Sequence, residues 1–170
     1  DLAVVTVAAQ GIRMLPLTKS QPREMLPVGR KPAVQYVVEE LAHSDIRRFL
    51  FITGPEKSSI ENHFSINENI VELLRQTCRE DYLAELDFER QHLDFFFRRQ
   101  RRQLGLGHAV LSAQPVVGPQ SFVVALGDSI IGQGTESTIV RRLVKAFESE
   151  RADAVVAIEE VKPEEIEQSG

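Results

Sequence analysis

The sequence has little cysteine and no long apolar run, and each of these scarcities excludes a class of protein. Cys78 is the only cysteine among 170 residues, so an internal disulfide is excluded and a reducing cytoplasm is the expected location. No run approaches the roughly 18 apolar residues that are needed to span a bilayer, and no signal-peptide pattern opens the chain. We therefore expect a cytoplasmic protein that does not contact a membrane.

Basic charge is also in short supply. Lysine and arginine together number 20 against 25 acidic residues, which gives a net charge of −5. This balance argues against a protein that coats nucleic acid, although the RRQRR stretch at 98–102 keeps a locally basic surface open. The histidines at His43, His63 and His92 share no ligand spacing, so a zinc site is not expected.

The residues that are present describe one α/β domain. Apolar residues make up 42% of the chain and charged residues 26%, the composition of a globular protein with a real core. Short apolar runs rich in β-branched or aromatic residues predict buried strands. These runs are 2–8, 48–53, 122–126 and 154–158, with 93–97 as a weaker candidate.

Helical periodicity fills the stretches between these runs. After Pro32, one apolar stripe predicts a helix, and Ser58 with Glu61 has the spacing of a capping box ahead of a short helix. Further helices are predicted within 67–91, at 104–113 and from 139 to 147. Buried strands that alternate with amphipathic helices predict a doubly wound, Rossmann-like, mostly parallel sheet. In such a fold, ligands bind beyond the carboxyl ends of the strands.

Three loops after predicted strands or at a helix start carry candidate site residues. Gly11 and Arg13 lie in a basic, proline-rich loop that suits a phosphate, although an ordinary surface loop has the same composition. Gly105 opens a helix whose exposed amides suit a base or a phosphate, and packing explains such a glycine equally well. Asp128 follows a strand, where a carboxylate holds Mg²⁺ against phosphates or merely caps a turn.

Four motifs give the chain a family resemblance. They are VTVAAQGIRMLPLTKSQPREMLPVGRKPAVQYVVEE, SSIENHF, RRQRRQLGLGHAVLSAQPVVG and ALGDSII, in this order. Together they resemble the bacterial UTP–glucose-1-phosphate uridylyltransferases of the sugar nucleotidyltransferase superfamily. The resemblance implies a nucleotide-diphospho-sugar transferase fold, with residues 1–170 as its N-terminal nucleotide-binding part and the C-terminal part missing.

The resemblance also implies a reaction and a set of site residues. A sugar 1-phosphate, here glucose 1-phosphate, attacks the α-phosphorus of UTP, which releases pyrophosphate and leaves UDP-glucose. Catalysis of this kind is mostly positioning and charge neutralisation. By position, Arg13 contacts the departing pyrophosphate and Arg23 replaces the phosphate-binding lysine. Nucleotide contacts fall to Ala8, Ala9, Gly11, Gln100 and Gly105, and Asp128 holds Mg²⁺.

The chain departs from the family pattern at several of these positions. The loop Gly-x-Gly-Thr-Arg of the family is replaced by Ala9-Gln10-Gly11-Ile12-Arg13. Ala9 adds a methyl group where the backbone meets the nucleotide, and Ile12 removes a hydroxyl group. Arg23 keeps the charge of lysine but changes its shape. Arg101 replaces a glycine beside the expected base-reading Gln100.

Two other interpretations stay open. The first alternative to the uridylyltransferase is a non-catalytic relative that keeps the fold for nucleotide binding, regulation or oligomer assembly. As a weaker alternative, the RRQRR stretch binds an anionic polymer. The resemblance further implies a homodimer or homotetramer.

Overall fold

Four parallel strands form the central sheet of the computed structural model, which describes residues 1–86, 92–131, 137–158 and 160–161. Within the described residues, a two-stranded antiparallel pair lies apart from this sheet. In chain order the strands are β1 (Leu2–Val7), β2 (Pro27–Val28), β3 (Lys31–Pro32), β4 (Arg48–Thr53), β5 (Asp94–Arg99) and β6 (Val123–Leu126). The order across the main sheet is β5-β4-β1-β6.

Helices connect these strands and cover the sheet. They are α1 (Ala33–His43), α2 (Ser58–His63), α3 (Glu68–Gln76), α4 (Glu80–Glu85), α5 (Leu106–Val117) and α6 (Ile139–Ser149). Three short 3₁₀ turns, Ile12–Met14, Leu17–Lys19 and Arg23–Met25, shape the loop after β1. Within the described ranges, every helix is too short or too polar to cross a bilayer.

The core lies on both faces of the two central strands. On one face, Phe51 of β4 stacks on Phe64 with ring centroids 5.0 Å apart and on Phe97 at 5.2 Å. On the other face, Leu50 and Ile52 pack in a cluster with α5. Each such side chain contributes about 1.5–3 kcal/mol when it is fully buried, so these two strands carry much of the hydrophobic stabilisation.

The strand register brings the carboxyl ends of the strands to one edge of the sheet. Val7 of β1 pairs with Thr53 of β4, which pairs with Arg99 of β5. The ladder continues one residue further, because the Gln100 amide donates to the Thr53 carbonyl over 2.8 Å and the Gly127 amide donates to the Thr6 carbonyl over 3.1 Å. The loops that follow β1, β4, β5 and β6 therefore start side by side.

Most of the predicted α/β pattern is confirmed, and the fold class with it. The run at 48–53 is a strand with the predicted bounds, and those at 2–8, 93–97 and 122–126 are strands within about two residues of the predicted ends. The apolar stripe after Pro32 forms α1, and 139–147 lies in α6. The helices predicted within 67–91 are α3 and α4, and residues 87–91 lie outside the described residues.

The strand predicted at 154–158 is wrong. These residues have no regular secondary structure, and Val156 and Ile158 are 76% and 93% exposed. An apolar run becomes a strand only when a neighbouring strand pairs with it, and this run pairs with none among the described residues. The outer strands are also less buried than predicted, since Phe96 of β5 and Val124 of β6 are exposed.

The capping box at Ser58 is wrong as well. The helix begins at Ser58 itself, Lys57 occupies the N-cap position, and no side chain caps the first turn. Lys57 is buried and its ammonium bonds Glu24, which fixes the chain one residue before the predicted cap. The helix predicted at 104–113 instead begins after Gly105 and runs through Pro115 to Val117.

His63 lies at the end of α2, against α1. Its Nε2 is 3.0 Å from Oε1 of Gln35, and its ring edge meets Phe64. An amide oxygen only accepts, so the neutral ring carries its proton on Nε2. Burial lowers the pKa of His63 below 6.5, and the nearby Glu39 carboxylate opposes this shift.

The lowered pKa of His63 predicts a loss of stability in mild acid. The unfolded chain takes up the proton at a higher pH than the folded chain, so the contribution of neutral His63 is complete above pH 6.5 and is lost as the pH falls below it. We expect His63→Gln, which keeps a donor for Gln35, to lose less free energy of unfolding than the wild type does when the pH falls from 7.5 to 5.5. Urea denaturation at each pH measures the slope, which cannot exceed about 1.4 kcal/mol per pH unit for one proton.

His92→Gln is the matched control, because His92 is exposed. It should keep the wild-type slope. An identical slope in His63→Gln and the wild type would contradict a lowered pKa of His63.

Candidate functional site

Gly11 fixes the shape of the loop after β1. Its φ is +67°, in the left-handed region that side chains rarely adopt, and a Cβ there would lie 3.0 Å from Cγ2 of Thr18. The Gly11 carbonyl accepts from the Thr18 hydroxyl over 2.7 Å and from the Met14 amide over 2.9 Å. The turn is therefore closed from both sides, with Arg13 exposed on its surface.

Glu24 is the most deeply buried charged residue described in this loop. Its exposed fraction is 0%, and its Oε2 is 2.7 Å from Nζ of Lys57, which lies in the loop between β4 and α2. Its Oε1 lies 3.4 Å from Nε of Arg23. Nη2 of Arg23 in turn lies 3.0 Å from Oδ2 of Asp128, directly after β6. We name these four residues the Glu24 network.

The Glu24 network balances two cations with two anions. A buried carboxylate or ammonium without a partner costs several kcal/mol, whereas a buried pair with good geometry largely offsets that cost. The Lys57–Glu24 pair meets this condition at 2.7 Å. The side chains of Arg23 and Asp128 are 32% and 28% exposed, so water screens their attraction and either can exchange partners more readily.

Gly127 gives Asp128 its position. A Cβ at Gly127 would lie 2.4 Å from Cγ1 of Val7 and 3.4 Å from Cγ of Glu24. Any side chain would therefore push the end of β6 away from β1 and from the Glu24 network. The missing side chain lets Asp128 approach Arg23.

A second set of contacts joins the loop after β5 to the loop after β1. Gln100 is buried, and its Nε2 is 2.7 Å from Nδ1 of His108 and 3.5 Å from the Gly105 carbonyl. Nε2 of Gln103 donates to the Ala8 carbonyl over 2.7 Å. These bonds fix the Gly105 turn, whose φ is +90°, near the end of β1.

The structure brings together several of the residues that the sequence predicts for the site. Arg23 pairs with Asp128, Gln100 bonds Gly105, and Gly11 packs against Arg23 through the turn. Ala8 joins this edge through the bond that Gln103 makes to its carbonyl, whereas Ala9 and Arg13 are exposed and, among the described residues, neither makes a side-chain hydrogen bond or ion pair with the network. The catalytic, nucleotide-binding and metal-binding roles of these residues stay predictions.

Sequence reasoning missed Glu24, Lys57 and Gln103. Each lies in a loop at the carboxyl edge of the sheet, and Glu24 follows a basic residue that was singled out. Polar residues in such loops were the available signal. The burial of Glu24 and Lys57 could not be predicted from the sequence, because charged residues in loops are usually exposed.

Asp128 supplies a carboxylate that could hold a divalent cation. Its carboxylate is a hard oxygen ligand, and magnesium is commonly held by one or two carboxylates together with substrate phosphates. Throughout the described ranges, no group of three or more histidine, cysteine or acidic side chains is arranged to hold a metal. The residues present therefore suit a cation that arrives with a phosphate ligand.

Comparison with known proteins identifies the relatives of this chain. A UTP–glucose-1-phosphate uridylyltransferase of Bacillus subtilis is 40% identical over 168 residues, which cover 99% of this chain and 56% of the relative. A UTP–glucose-1-phosphate uridylyltransferase 2 of Staphylococcus saprophyticus is 36% identical over 159 residues, 94% of this chain and 54% of the relative. The chain thus spans about half the length of the curated relatives that it matches.

Solved structures agree with this comparison. A UTP-bound UGPase from Acinetobacter baumannii matches with a TM-score of 0.83 and 38% identity, over 89% of this chain and 54% of the other. Members of the matched family generally use a divalent metal ion. Residues 2–168 match the nucleotidyl transferase family, and this chain, with its parallel sheet and its polar loops at one edge, belongs to that family.

Proposed function

We propose that residues 1–170 are the nucleotide-binding part of a UTP–glucose-1-phosphate uridylyltransferase. The reaction joins the glucose 1-phosphate oxygen to the α-phosphorus of UTP and breaks its bond to pyrophosphate. The observation that carries the proposal is the pairing of Arg23 and Asp128 over 3.0 Å beside the Gly11 turn. A cation for phosphates and a carboxylate for a metal then lie next to a backbone turn that a polyphosphate can approach.

The proposed roles follow the layout of the carboxyl edge. Ala8, Ala9 and Gly11 line the nucleotide, and Arg13 contacts the departing pyrophosphate from the surface of the turn. Gln100 and Gly105 lie on the side of the uracil, and the bond from Gln103 to Ala8 supports this placement because it joins the two loops. Once the nucleotide is bound, the charge of Arg23 stabilises the negative charge on the phosphates.

Magnesium is the proposed metal, held by Asp128 together with oxygens of the substrate. When bound, the ion neutralises charge on the phosphates that are being separated. Arg23 lies on the same carboxylate, so it must share Asp128 or turn towards the phosphates. The proposed cytoplasmic location and the homodimer or homotetramer stay predictions.

Two departures from the family pattern, at Ile12 and Arg23, are compatible with nucleotide binding. Ile12 is 67% exposed, so its side chain blocks little of the loop. Arg23 contacts Glu24 and Asp128 through two different nitrogens, which the single ammonium of lysine cannot do in the same way. The arginine is thus well suited to its place in the loop.

A second candidate is a non-catalytic relative that binds the nucleotide without transferring it. Among the described residues, no group of three or more histidine, cysteine or acidic side chains is arranged to hold a metal ion. The nucleotide site is the same under both proposals. The transfer reaction separates them.

Calorimetric titration with UTP and Mg²⁺ tests the nucleotide site. We expect the wild type to bind with a dissociation constant below about 1 mM, and Arg13→Gln to bind roughly tenfold more weakly because it loses a charged hydrogen bond to phosphate. Arg142→Gln, an exposed change on α6, is the control and should bind like the wild type. Pyrophosphate release after addition of glucose 1-phosphate, with a full-length relative as positive control, measures transfer.

The outcomes separate the two candidates. Absence of UTP binding by the wild type would overturn both. Binding without pyrophosphate above a blank favours the non-catalytic relative, and pyrophosphate above the blank favours the uridylyltransferase.

Restoring the family hydroxyl should tighten nucleotide binding. Ile12→Thr removes an exposed side chain and adds a donor beside the proposed phosphate site. A new neutral hydrogen bond is worth about 0.5–1.5 kcal/mol, so we expect UTP affinity to rise by roughly two- to tenfold with an unchanged urea midpoint. Leu17→Thr is the matched control, since Leu17 is 63% exposed in the next turn. An equal gain in both variants, or none in Ile12→Thr, would contradict the placement of the phosphates.

A further inference from the structure

Glu24 and Lys57 form a buried ion pair that the proposed chemistry does not use. Both residues lie in loops, and their side chains are 1% and 6% exposed with Nζ and Oε2 2.7 Å apart. A pair of apolar side chains of the same volume would be as stable or more stable in such a place. Stability alone therefore does not explain why these loops bury two charges.

The second oxygen of Glu24 suggests what the charges do. Oε1 of Glu24 faces Nε of Arg23 at 3.4 Å, while Nη2 of the same guanidinium faces Asp128 at 3.0 Å. Lys57 holds the other oxygen of Glu24, so the carboxylate cannot turn away. The guanidinium of Arg23 is thereby held by Glu24 at Nε, while Nη2 extends towards Asp128.

We infer that Glu24 and Lys57 are positioning residues for Arg23, and hence for the nucleotide and metal site. This inference rests on the proposed function, because it assigns Arg23 to the phosphates. Lys57 orients Glu24, and Glu24 shares the positive charge of Arg23 with Asp128. Arg23 is thus kept at the mouth of the site without neutralising Asp128 completely, which leaves that carboxylate able to accept a cation.

Removal of the pair should change this balance. Without the negative charge of Glu24, Asp128 becomes the only carboxylate of the Glu24 network near Arg23. Arg23 then closes on Asp128, and both groups become less available to UTP and its metal. The three loops that supply these residues follow β1, β4 and β6, so the pair acts across the whole carboxyl edge.

The double variant Glu24→Met/Lys57→Met tests the inference. It removes both buried charges and keeps similar volume, so its urea midpoint should stay near that of the wild type, whereas Lys57→Met alone should lower it because Glu24 loses a buried partner. In the presence of Mg²⁺, we expect the double variant to bind UTP roughly tenfold more weakly than the wild type. The control Asp1→Asn/Arg48→Met removes an ion pair of 3.0 Å at the opposite edge of the sheet and should leave UTP affinity unchanged.

A second readout does not depend on the nucleotide. The Nε–H signal of Arg23 in ¹⁵N NMR spectra, identified by its absence in Arg23→Gln, reports the bond to Glu24. We expect its hydrogen exchange to be at least about tenfold faster in the double variant, because Nε loses its acceptor. If the double variant does not fold cooperatively, Glu24→Gln, which removes the charge but keeps an acceptor for Nε, is examined by UTP titration alone, with the same loss of affinity expected.

The outcomes are distinguishable. Absence of UTP binding by the wild type refutes the proposed function. Wild-type affinity in the double variant refutes the positioning inference alone, since a purely structural pair would give this result once stability is kept. Unchanged exchange of the Arg23 Nε–H also refutes it, whatever the nucleotide does.

Discussion

The carboxylate of Glu24 is completely buried, and the candidate site depends on how it is compensated. A charge without water must be paired and hydrogen-bonded, or the folded state loses several kcal/mol. Lys57 meets this need over 2.7 Å, and Arg23 adds a second cation. Because these partners come from different loops, the same constraint ties the loop after β1 to the loop after β4. Through Arg23 it extends to Asp128 after β6.

The parallel sheet makes this arrangement possible. Parallel strands end at one edge, and the register of β1 with β4 and β6 starts their loops within a residue of one another. Glycines then let the loops approach closely, with Gly127 packed on Val7 and Gly11 turned back on Thr18. This geometry brings two cations, Arg23 and Lys57, and two carboxylates, Glu24 and Asp128, together at one edge of the sheet.

The sequence predicted the sheet better than the site. Strand 48–53 was predicted with its observed bounds, because a short run of apolar residues that includes β-branched and aromatic side chains favours a strand. The run at 154–158 is also apolar and contains β-branched residues, yet it forms no strand, since composition does not reveal whether a neighbouring strand is there to pair with it. Arg23 and Asp128 were both singled out, but their contact was not predicted. The burial of Glu24 and Lys57 could not be predicted, because burial of a charged side chain depends on partners that are distant in the sequence.

Under the proposed function, UTP binds at the edge that the Glu24 network organises, in a chain that spans about half the length of the curated relatives that it matches. A crystal structure of this chain with UTP and Mg²⁺ tests that assignment most directly. It should place the triphosphate within about 3 Å of the Arg13 guanidinium and the backbone amides of the Gly11 turn, with the ion on Asp128 and Glu24 still bonded to Lys57. A nucleotide bound away from this edge, or bound there with Lys57 and Glu24 apart, would contradict the account.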